Sequence, residues 1–178
     1  MGDSPLPFDE VYRRHRDAIF WFCLSQTRNR AVAEDLCADA FTAAFAAYER
    51  TQPDPVGVLP WLFRIARNTI VEHGRRTVRW GRIVSGLTAG RQHTVENTAA
   101  IRDDVRAVNA ALADLPERDR RLIGLRVAGG LSFADIGTVE GLTDDAAEAA
   151  TRRALKRLRT ALAAHSEPGE GWTWAEAE

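Results

Sequence analysis

Apolar side chains recur at three- and four-residue spacing near the start of the chain, which is the pattern of helices that bury one face. The first series runs from Phe8 to Cys23, and the second runs from Ala33 to Tyr48. The spacing therefore predicts two amphipathic helices that are joined near 28–30.

A stretch rich in proline and glycine, TQPDPVGVLP, follows the second helix and must end it. Pro60 suits the first position of the next helix, because its missing N–H would have no partner there. A third helix is predicted from Pro60 to Arg75. Beyond it, glycines are scattered among polar residues and no apolar face persists, so 79–100 is predicted to be a flexible linker.

The helical period returns at Ile101 and continues to Leu115, where Pro116 interrupts it, and it resumes up to Val127. This second half of the chain therefore predicts two more helices, separated by the proline. A glycine pair follows Val127 and predicts a turn.

Ser132 and Asp135 have the form of a capping box, in which the hydroxyl accepts from a free helix N–H and the acid reaches back. A short helix is predicted to start near Phe133 and to end around 140–141. Thr143 can cap the following helix. Two helices joined by a tight turn that contains glycine make a helix-turn-helix.

The fold class predicted from these segments is all-α, because the apolar/polar alternation typical of strands is nearly absent. We predict two small helical domains, 1–78 and 101–165, with the helix-turn-helix in the second. The linker at 79–100 joins them, and a tail spans 166–178. The sequence leaves open whether the two domains touch.

The formal net charge of −1 gives no overall signal for nucleic acid, so contact with DNA depends on locally segregated charge. Cys23 and Cys37 lack a CxxC motif or a His/Cys cluster, so we expect two reduced, packed thiols. No nucleophile, general base or ligand set typical of an enzyme is evident in the sequence. Neither catalytic activity nor a metal or other cofactor is predicted.

The first residues, MGDSPLPFDE, are acidic and proline-containing where a signal peptide needs basic and then apolar residues. No apolar run is long enough to span a bilayer. We therefore expect a soluble, cytoplasmic protein without membrane insertion.

The third predicted helix and its exit carry six arginines against one acid, Glu72. Trp61 and Phe63 are expected to pack in the core, whereas Trp80 is the better candidate for stacking on an unpaired base. Asn68 is interpreted either as a satisfied core amide or as a group that reads a base edge. Cationic and aromatic groups together are typical of surfaces that hold single-stranded nucleic acid.

The last predicted helix begins with Asp144 and Asp145 and soon adds Glu148. Acids in a first turn are favoured by the helix dipole, so capping is preferred over base readout as their role. The same acids oppose phosphate attraction at the end of the helix that would lie closest to DNA. A later basic stripe compensates for them, and it consists of Arg152, Arg153, Lys156, Arg157 and Arg159.

Three blocks of sequence stand in order along the chain. They are FDEVYRRHRDAIFWFCLSQTRNRAVAEDL with its continuation to Phe41, PWLFRIARNTIVEHGRR at 60–76, and LPERDRRLIGLRVAGGLSFADIG at 115–137. Together they resemble the bacterial sigma factors of the extracytoplasmic-function (ECF) type, in the sigma-70 family. The second block resembles that family's Trp-Leu-x-x-Ile-Ala-x-Asn motif, and the third resembles its Leu-Pro-x-x-x-Arg start and Gly-Leu-Ser-x-x-x-Ile-Ala helix-turn-helix entry.

The resemblance implies a promoter-specificity subunit of RNA polymerase. The first domain, like sigma region 2, is expected to dock on the β′ clamp helices and to capture the melted minus-ten element. The second, like sigma region 4, is expected to sit on the β flap and to face minus-thirty-five DNA. An anti-sigma partner is common in the family and is expected here. Expected polymerase contacts are Asp35, Leu36, Asp39 and Phe41. Expected DNA contacts are Arg64, Arg67, Asn68, Arg75, Arg76, Arg79, Trp80, Arg152, Arg153, Lys156 and Arg157.

Two departures from the family pattern change these expectations. Ala38 stands where family members usually carry glutamine in the clamp-contacting motif, which removes a polar contact. The recognition helix reads TDDAAEAA from Thr143, where the family typically has Ser-x-x-Thr-Val-Lys-Ser-Arg. We therefore predict that the minus-thirty-five contribution is small or unusual.

Two alternatives remain at this point. A degenerate sigma-like protein would bind polymerase without fully reading a promoter, and a stand-alone helix-turn-helix regulator would use only the second domain. The acidic tail, with Trp172 and Trp174, is expected to be disordered. A sharper hypothesis is that its indoles dock on the helical domain while its acids mask the basic stripe.

Overall fold

The computed structural model describes residues 6–84 and 99–165, with side chains described for 6–77 and 106–165. Within these ranges the chain forms helices and no strand, which confirms the all-α prediction. The helices are α1 (Phe8–Thr27), α2 (Arg30–Thr51), α3 (Val58–Val84), α4 (Ala99–Ala113), α5 (Glu117–Val127), α6 (Phe133–Glu140) and α7 (Asp144–His165).

The joint between α1 and α2 lies where the sequence predicts it. Arg28 ends α1 in the left-handed region, with φ of 53°, and its N–H donates to the Leu24 carbonyl. Asn29 caps α2, because its side-chain oxygen accepts from the Val32 N–H at 3.2 Å. This tight connection sets α1 and α2 side by side as neighbours in the first domain.

Helix α3 is longer than predicted at both ends. It begins at Val58 rather than Pro60, because Asp54 forms a turn in which its carboxylate accepts from the Gly57 N–H at 2.6 Å. Pro60 is accommodated within the first turn. The helix ends at Val84 rather than Arg75 and contains both Gly74 and Gly81, whose cost of about 1 kcal/mol each relative to alanine does not end it.

The predicted linker is therefore helical at both of its edges, since α3 ends at Val84 and α4 begins at Ala99. The remainder of the linker, 85–98, lies outside the described residues, as does the predicted tail at 166–178. The division of the chain at 79–100 stays a prediction.

The helix-turn-helix forms as predicted. The Ser132 hydroxyl accepts from the Asp135 N–H at 3.1 Å, and the Asp135 carboxylate accepts from the Ser132 N–H at 3.3 Å, which completes the capping box. Gly141 ends α6 with φ of 70°, a conformation that glycine adopts at little cost. The Thr143 hydroxyl then caps α7 by accepting from the Ala146 N–H at 3.3 Å.

The two helical domains touch, and one apolar core runs through both of them. Helix α1 packs on α5, and α3 packs on α6. Phe22 of α1 and Phe63 of α3 meet edge to face at 5.2 Å near this boundary, and both are fully buried. The sequence pattern identifies apolar faces but does not show that they join, because periodicity carries no information about partners.

Gly124 allows this close packing. It lies inside α5, where glycine costs about 1 kcal/mol relative to alanine. A Cβ atom at this position would lie 2.9 Å from both the Phe22 ring and the Ser25 hydroxyl of α1. The absence of a side chain at 124 is therefore what lets the two helices approach.

Cys23 and Cys37 are free thiols that are buried in the first domain, which confirms their predicted packing. Burial raises the pKa of the Cys23 thiol to about 12. Among the described residues, no cluster of His, Cys, Asp and Glu side chains is arranged to hold a metal ion. None of the described helices is both long enough and apolar enough to cross a membrane.

Candidate nucleic-acid interface

The exposed side of α3 carries the first group of predicted DNA contacts. Arg64, Asn68, Arg75 and Arg76 are all exposed on this helix. Their spacing places the first three near one face of α3, since residues three and four apart are neighbours on a helix. Arg76 also donates to Glu72 on the same helix at 3.1 Å, and both side chains are exposed. The arrangement offers several guanidinium groups to an anionic strand along one helix.

Two aromatic residues of α3, Trp61 and Phe63, belong to the core, whereas the side chain of Trp80 is outside the described residues. Trp61 and Phe63 are buried, which confirms that they pack rather than stack on bases. The ring centroids of Trp61 and of Tyr48 in α2 lie 5.9 Å apart, and the Tyr48 hydroxyl donates to the Leu6 carbonyl at 2.5 Å. The predicted contacts Arg79 and Trp80 lie on α3, but their side chains are outside the described residues.

Asn68 is exposed, so its interpretation as a satisfied core amide is wrong. Its side-chain oxygen receives only a long contact of 3.5 Å from Arg67. The amide is therefore free to meet an external donor or acceptor, and its role as a reader of a base edge stays a prediction.

Arg67 is the one described arginine of α3 that is turned toward the second domain. Its Nε donates to Glu140 of α6 at 2.9 Å, and its side chain is 28% exposed. Glu140 is only 4% exposed and also accepts from Arg121 of α5, at 3.3 and 3.4 Å. Sequence reasoning missed this carboxylate, because a glutamate at the end of a short helix looks like an ordinary surface residue.

The start of α7 bears its acids where the helix dipole favours them. Asp144 and Asp145 lie in the first turn and are exposed. One turn later, Glu148 forms an ion pair with Arg152 at 2.9 Å, and both side chains are largely exposed. The first cation of the predicted basic stripe is therefore neutralised within its own helix.

The later part of α7 keeps three cations without an acidic partner in the described part of the chain. They are Arg153, Lys156 and Arg159, and all three are exposed. Arg157 instead binds Asp119 of α5 at 2.5 Å, and this carboxylate is largely buried. Arg157 therefore links α7 to α5 through an ion pair. The sequence did not indicate this role, because the two partners lie 38 residues apart.

The predicted polymerase contacts on α2 separate into two groups. Asp35 and Asp39 are exposed, and Ala38 lies exposed between them on the same face. Leu36 and Phe41 are 2% and 5% exposed and belong to the core. The prediction of direct contact through Leu36 and Phe41 needs correction, because buried side chains position the face rather than touch a partner.

An exposed aromatic cluster lies beside this face. Phe45 of α2 is 66% exposed, although its helical spacing suggested an inward position. Phe8 meets it at 5.2 Å, and Tyr12 meets Phe41 at 4.8 Å, in edge-to-face geometry. Exposed apolar groups that lie together are typical of protein contact sites. Sequence analysis missed the cluster because periodicity does not show where a helix face ends.

Two protein-family models match the chain in order. The model of sigma-70 region 2 matches residues 11–79, and the model of sigma-70 region 4 matches residues 106–158. The first match covers most of α1, all of α2 and most of α3, and the second covers α5, α6 and most of α7. A stand-alone helix-turn-helix regulator would have no counterpart to the first match, so that alternative is wrong.

Similar proteins and structures cover most of the chain. The RNA polymerase sigma factor CarQ of Myxococcus xanthus is 30% identical over 160 residues, which is 87% of this chain and 88% of CarQ. The ECF sigma factor SigM of Bacillus subtilis is 23% identical, over 86% of this chain and 94% of SigM.

Two solved structures share the fold. The sigma factor RpoE, crystallised with the anti-sigma factor NepR from Bartonella quintana, has a TM-score of 0.68 at 23% identity, over 88% of this chain and 96% of RpoE. CnrH, in complex with the cytosolic domain of CnrY, has a TM-score of 0.65 at 26% identity, over 89% of both chains.

Proposed function

Because the chain belongs to the sigma-70 family, as an ECF sigma factor and therefore a nonenzymatic factor of transcription initiation, we propose that it captures melted minus-ten DNA on α3. The observation that carries this proposal is the exposed row of Arg64, Asn68, Arg75 and Arg76 within the segment that matches sigma region 2. Guanidinium groups can follow the phosphates of an unpaired strand, and Asn68 can hydrogen-bond a base edge.

Arg79 and Trp80 extend this surface in the proposal. Binding of unpaired bases then supplies the free energy that holds the strands apart, so that melting needs neither ATP nor a metal ion.

Docking on core RNA polymerase is assigned to the exposed face of α2. Asp35 and Asp39 are available there for charged or hydrogen-bonding contacts with the β′ clamp helices, and Phe45 provides an apolar anchor beside them. Aromatic anchors surrounded by polar groups are typical of energetically important contact sites. Ala38 gives this face one polar contact fewer than the family pattern has.

The second domain is assigned the role of binding the β flap and minus-thirty-five DNA. The minus-thirty-five element is expected to contribute only weakly to promoter binding. Arg153, Lys156 and Arg159 have no acidic partner in the described part of the chain and can attract phosphates, whereas Arg152 and Arg157 have intramolecular partners. The same observation supports the second candidate, a degenerate sigma-like protein that binds polymerase but reads a promoter incompletely.

Reconstitution distinguishes these two functions. Purified chain added to core polymerase is expected to form a stable complex, and that complex is expected to yield transcripts from a mixed promoter library. A complex without transcripts would instead identify the degenerate form, and no complex would contradict both. Promoters with and without a minus-thirty-five element are expected to differ little, and strong dependence on an element typical of the family would refute the weak contribution.

Replacing Glu148 with glutamine is expected to raise affinity for minus-thirty-five duplex about threefold to tenfold at 0.1 M salt. The change removes one negative charge and frees Arg152 from its 2.9 Å pair, which adds one phosphate contact. Fluorescence anisotropy of a labelled duplex with the holoenzyme measures the effect. Glu34→Gln is the matched control, because Glu34 pairs with Arg30 on α2 at 2.8 Å in the same i,i+4 arrangement. Equal affinities of both variants and the unaltered protein would show that Arg152 does not face DNA.

An anti-sigma partner is part of the proposal. The RpoE and CnrH structures are complexes with NepR and CnrY, respectively, and RpoE and CnrH share this fold. The exposed aromatic cluster of Tyr12 and Phe45 and the basic row of α3 are surfaces that such a partner would cover.

A further inference from the structure

A groove with an apolar floor runs along the last turns of α7. It lies between that helix and the joint of α4 with α5, and its volume is about 510 Å³. This volume lies within the range of about 300 to 1,000 Å³ that is usual for binding sites. The apolar lining consists of four residues, Leu115, Pro116, Ala161 and Ala164. The phosphate contacts assigned to α7 need cations alone, so they leave this apolar lining without a role.

The wall that α7 contributes to the groove is cationic. Arg153 and Lys156 line the groove, are exposed and have no acidic partner in the described part of the chain. Arg157 also lines it, but its charge is paired with the largely buried Asp119. The groove therefore suits an occupant that is apolar where it meets the floor and acidic where it meets Arg153 and Lys156.

The chain leaves α7 at one end of this groove. Helix α7 ends at His165, directly after the lining residue Ala164. His165 Nε2 lies 2.7 Å from the carboxylate of Asp114, which also lines the groove, and this contact holds the end of the helix against the α4–α5 joint. The residues that follow α7 therefore start beside the groove, and a short tether of this kind gives an effective concentration of about 1 mM.

The tail at 166–178 has the composition that the groove requires. It carries four glutamates and no lysine or arginine, and Trp172 and Trp174 supply two large apolar groups. From Glu170 onward, glutamate or tryptophan occupies every second position except one, Ala175 excluded, and small residues stand between them. In an extended conformation, side chains at every second position lie on one face. Such a segment presents its indoles and its acids together, with acids on both sides of the indole pair.

The tail is long enough to follow the groove. From His165 back to Arg153, α7 is about 18 Å long at 1.5 Å per residue. Pro168 and Gly169 form a dipeptide typical of turns, so the chain can reverse its direction there. The following residues, 170–178, span about 30 Å when extended. They can therefore run back along α7 as far as Arg153.

We propose that residues 170–178 dock in this groove within their own chain, with the indoles of Trp172 and Trp174 on the apolar floor and the glutamates on Arg153 and Lys156. The docked tail occupies cations that are assigned to the phosphates of minus-thirty-five DNA, so it competes with this DNA. The competition rests on the function proposed above, whereas the docking does not. An intrinsic dissociation constant of about 0.1 mM keeps the tail docked about nine-tenths of the time at an effective concentration of about 1 mM.

Fluorine NMR of the full chain tests the docking. The chain is labelled with 5-fluorotryptophan, and the resonances of Trp172 and Trp174 are assigned through Trp172→Phe and Trp174→Phe. Both resonances are expected to differ from those of a synthetic peptide of residues 166–178. Ala164→Glu is expected to return both to the peptide values, because it places an acid in the groove. Ala163→Glu is the matched control, since Ala163 is also exposed on α7 but is not among the residues that line the groove.

The double substitution Trp172→Ala with Trp174→Ala tests the competition. It removes both indoles and keeps every glutamate, so the net charge of the chain is unchanged. The affinity of the holoenzyme for minus-thirty-five duplex is expected to rise about tenfold, because Arg153 and Lys156 are no longer occupied. Fluorescence anisotropy of a labelled duplex measures the effect. Trp21→Ala is the control, since Trp21 is an exposed tryptophan on α1, and it is expected to leave the affinity unchanged.

The outcomes separate the docking from the competition. Resonances of the unaltered chain that match the peptide would overturn the docking, as would equal effects of Ala163→Glu and Ala164→Glu. Resonances that shift with protein concentration would place the tail in the groove of a second copy and overturn docking within one chain. Equal duplex affinity of the double variant and the unaltered chain would overturn the competition. Failure of every holoenzyme to bind duplex would contradict the function proposed for the second domain, and the fluorine resonances would still decide the docking.

Discussion

Replacing Arg64, Arg75 and Arg76 together with glutamine is expected to weaken binding of the holoenzyme to a forked minus-ten probe about 100-fold at 0.1 M salt. Each arginine is exposed on α3 and is assigned one phosphate of the unpaired strand, for which Arg76 exchanges its exposed ion pair with Glu72. Each phosphate contact with a single strand releases counterions and adds about −0.7 to the slope of the logarithm of the binding constant against the logarithm of the salt concentration. At about 0.1 M salt, three such contacts account for the expected loss of affinity of about 100-fold. Filter binding or anisotropy across a salt series measures both the affinity and the slope.

The salt series also separates an electrostatic role from a structural one. The slope is expected to fall in magnitude by about 2 when three contacts are lost. The matched control replaces Arg13, Arg14 and Arg16, which are exposed on α1 and paired with acids of that helix. This control changes the net charge equally and is expected to leave both affinity and slope nearly unchanged. Weaker binding with an unaltered slope would contradict phosphate contact by the α3 arginines.

Replacing Leu36 with alanine is expected to lower the free energy of unfolding by about 2 to 5 kcal/mol. The side chain is 2% exposed and lies in the core beneath the proposed polymerase face, so its removal leaves a cavity. This is a large share of the total stability of about 5 to 15 kcal/mol that is usual for a folded domain. Urea denaturation followed by circular dichroism measures the change.

Two exposed acids on the same helix provide the contrast. The double change Asp35→Asn with Asp39→Asn is expected to leave stability within about 0.5 kcal/mol, because both side chains are exposed. It is expected to weaken binding to core polymerase, whereas Leu36→Ala should bind normally once the folded fraction is taken into account. A Leu36→Ala variant that is fully stable but does not bind polymerase would show that this leucine contacts the partner directly.

Local chemistry made the helix-turn-helix predictable from residues alone. The Ser132 and Asp135 box, Gly141 and the Thr143 cap each satisfy backbone groups within a few residues, so their spacing in sequence is their spacing in space. The ends of α3 were less predictable. Its start depends on the turn formed by Asp54, and its continuation past Arg75 depends on a balance of helix propensities that Gly74 and Gly81 do not decide.

The candidate site, like the fold, was only partly predictable from the sequence. Exposed cations on α3 and α7 follow from charge and helical period, but their partners do not. Arg67 with Glu140 and Arg157 with Asp119 are separated by 73 and 38 residues, and no local pattern links them. The same limit explains Phe45, whose apolar character predicts burial and whose position beyond the edge of the packed face leaves it exposed.

The sequence by itself determined the all-α class, the order of the helices, the helix-turn-helix and the two segments that match sigma regions 2 and 4. Only the tertiary structure decided that the two domains share one core, that Leu36 and Phe41 lie inside it, and which arginines are held by acids. The reason is physical. Helix formation and capping depend on neighbours along the chain, whereas burial and ion pairing depend on which faces meet after the chain has folded back on itself.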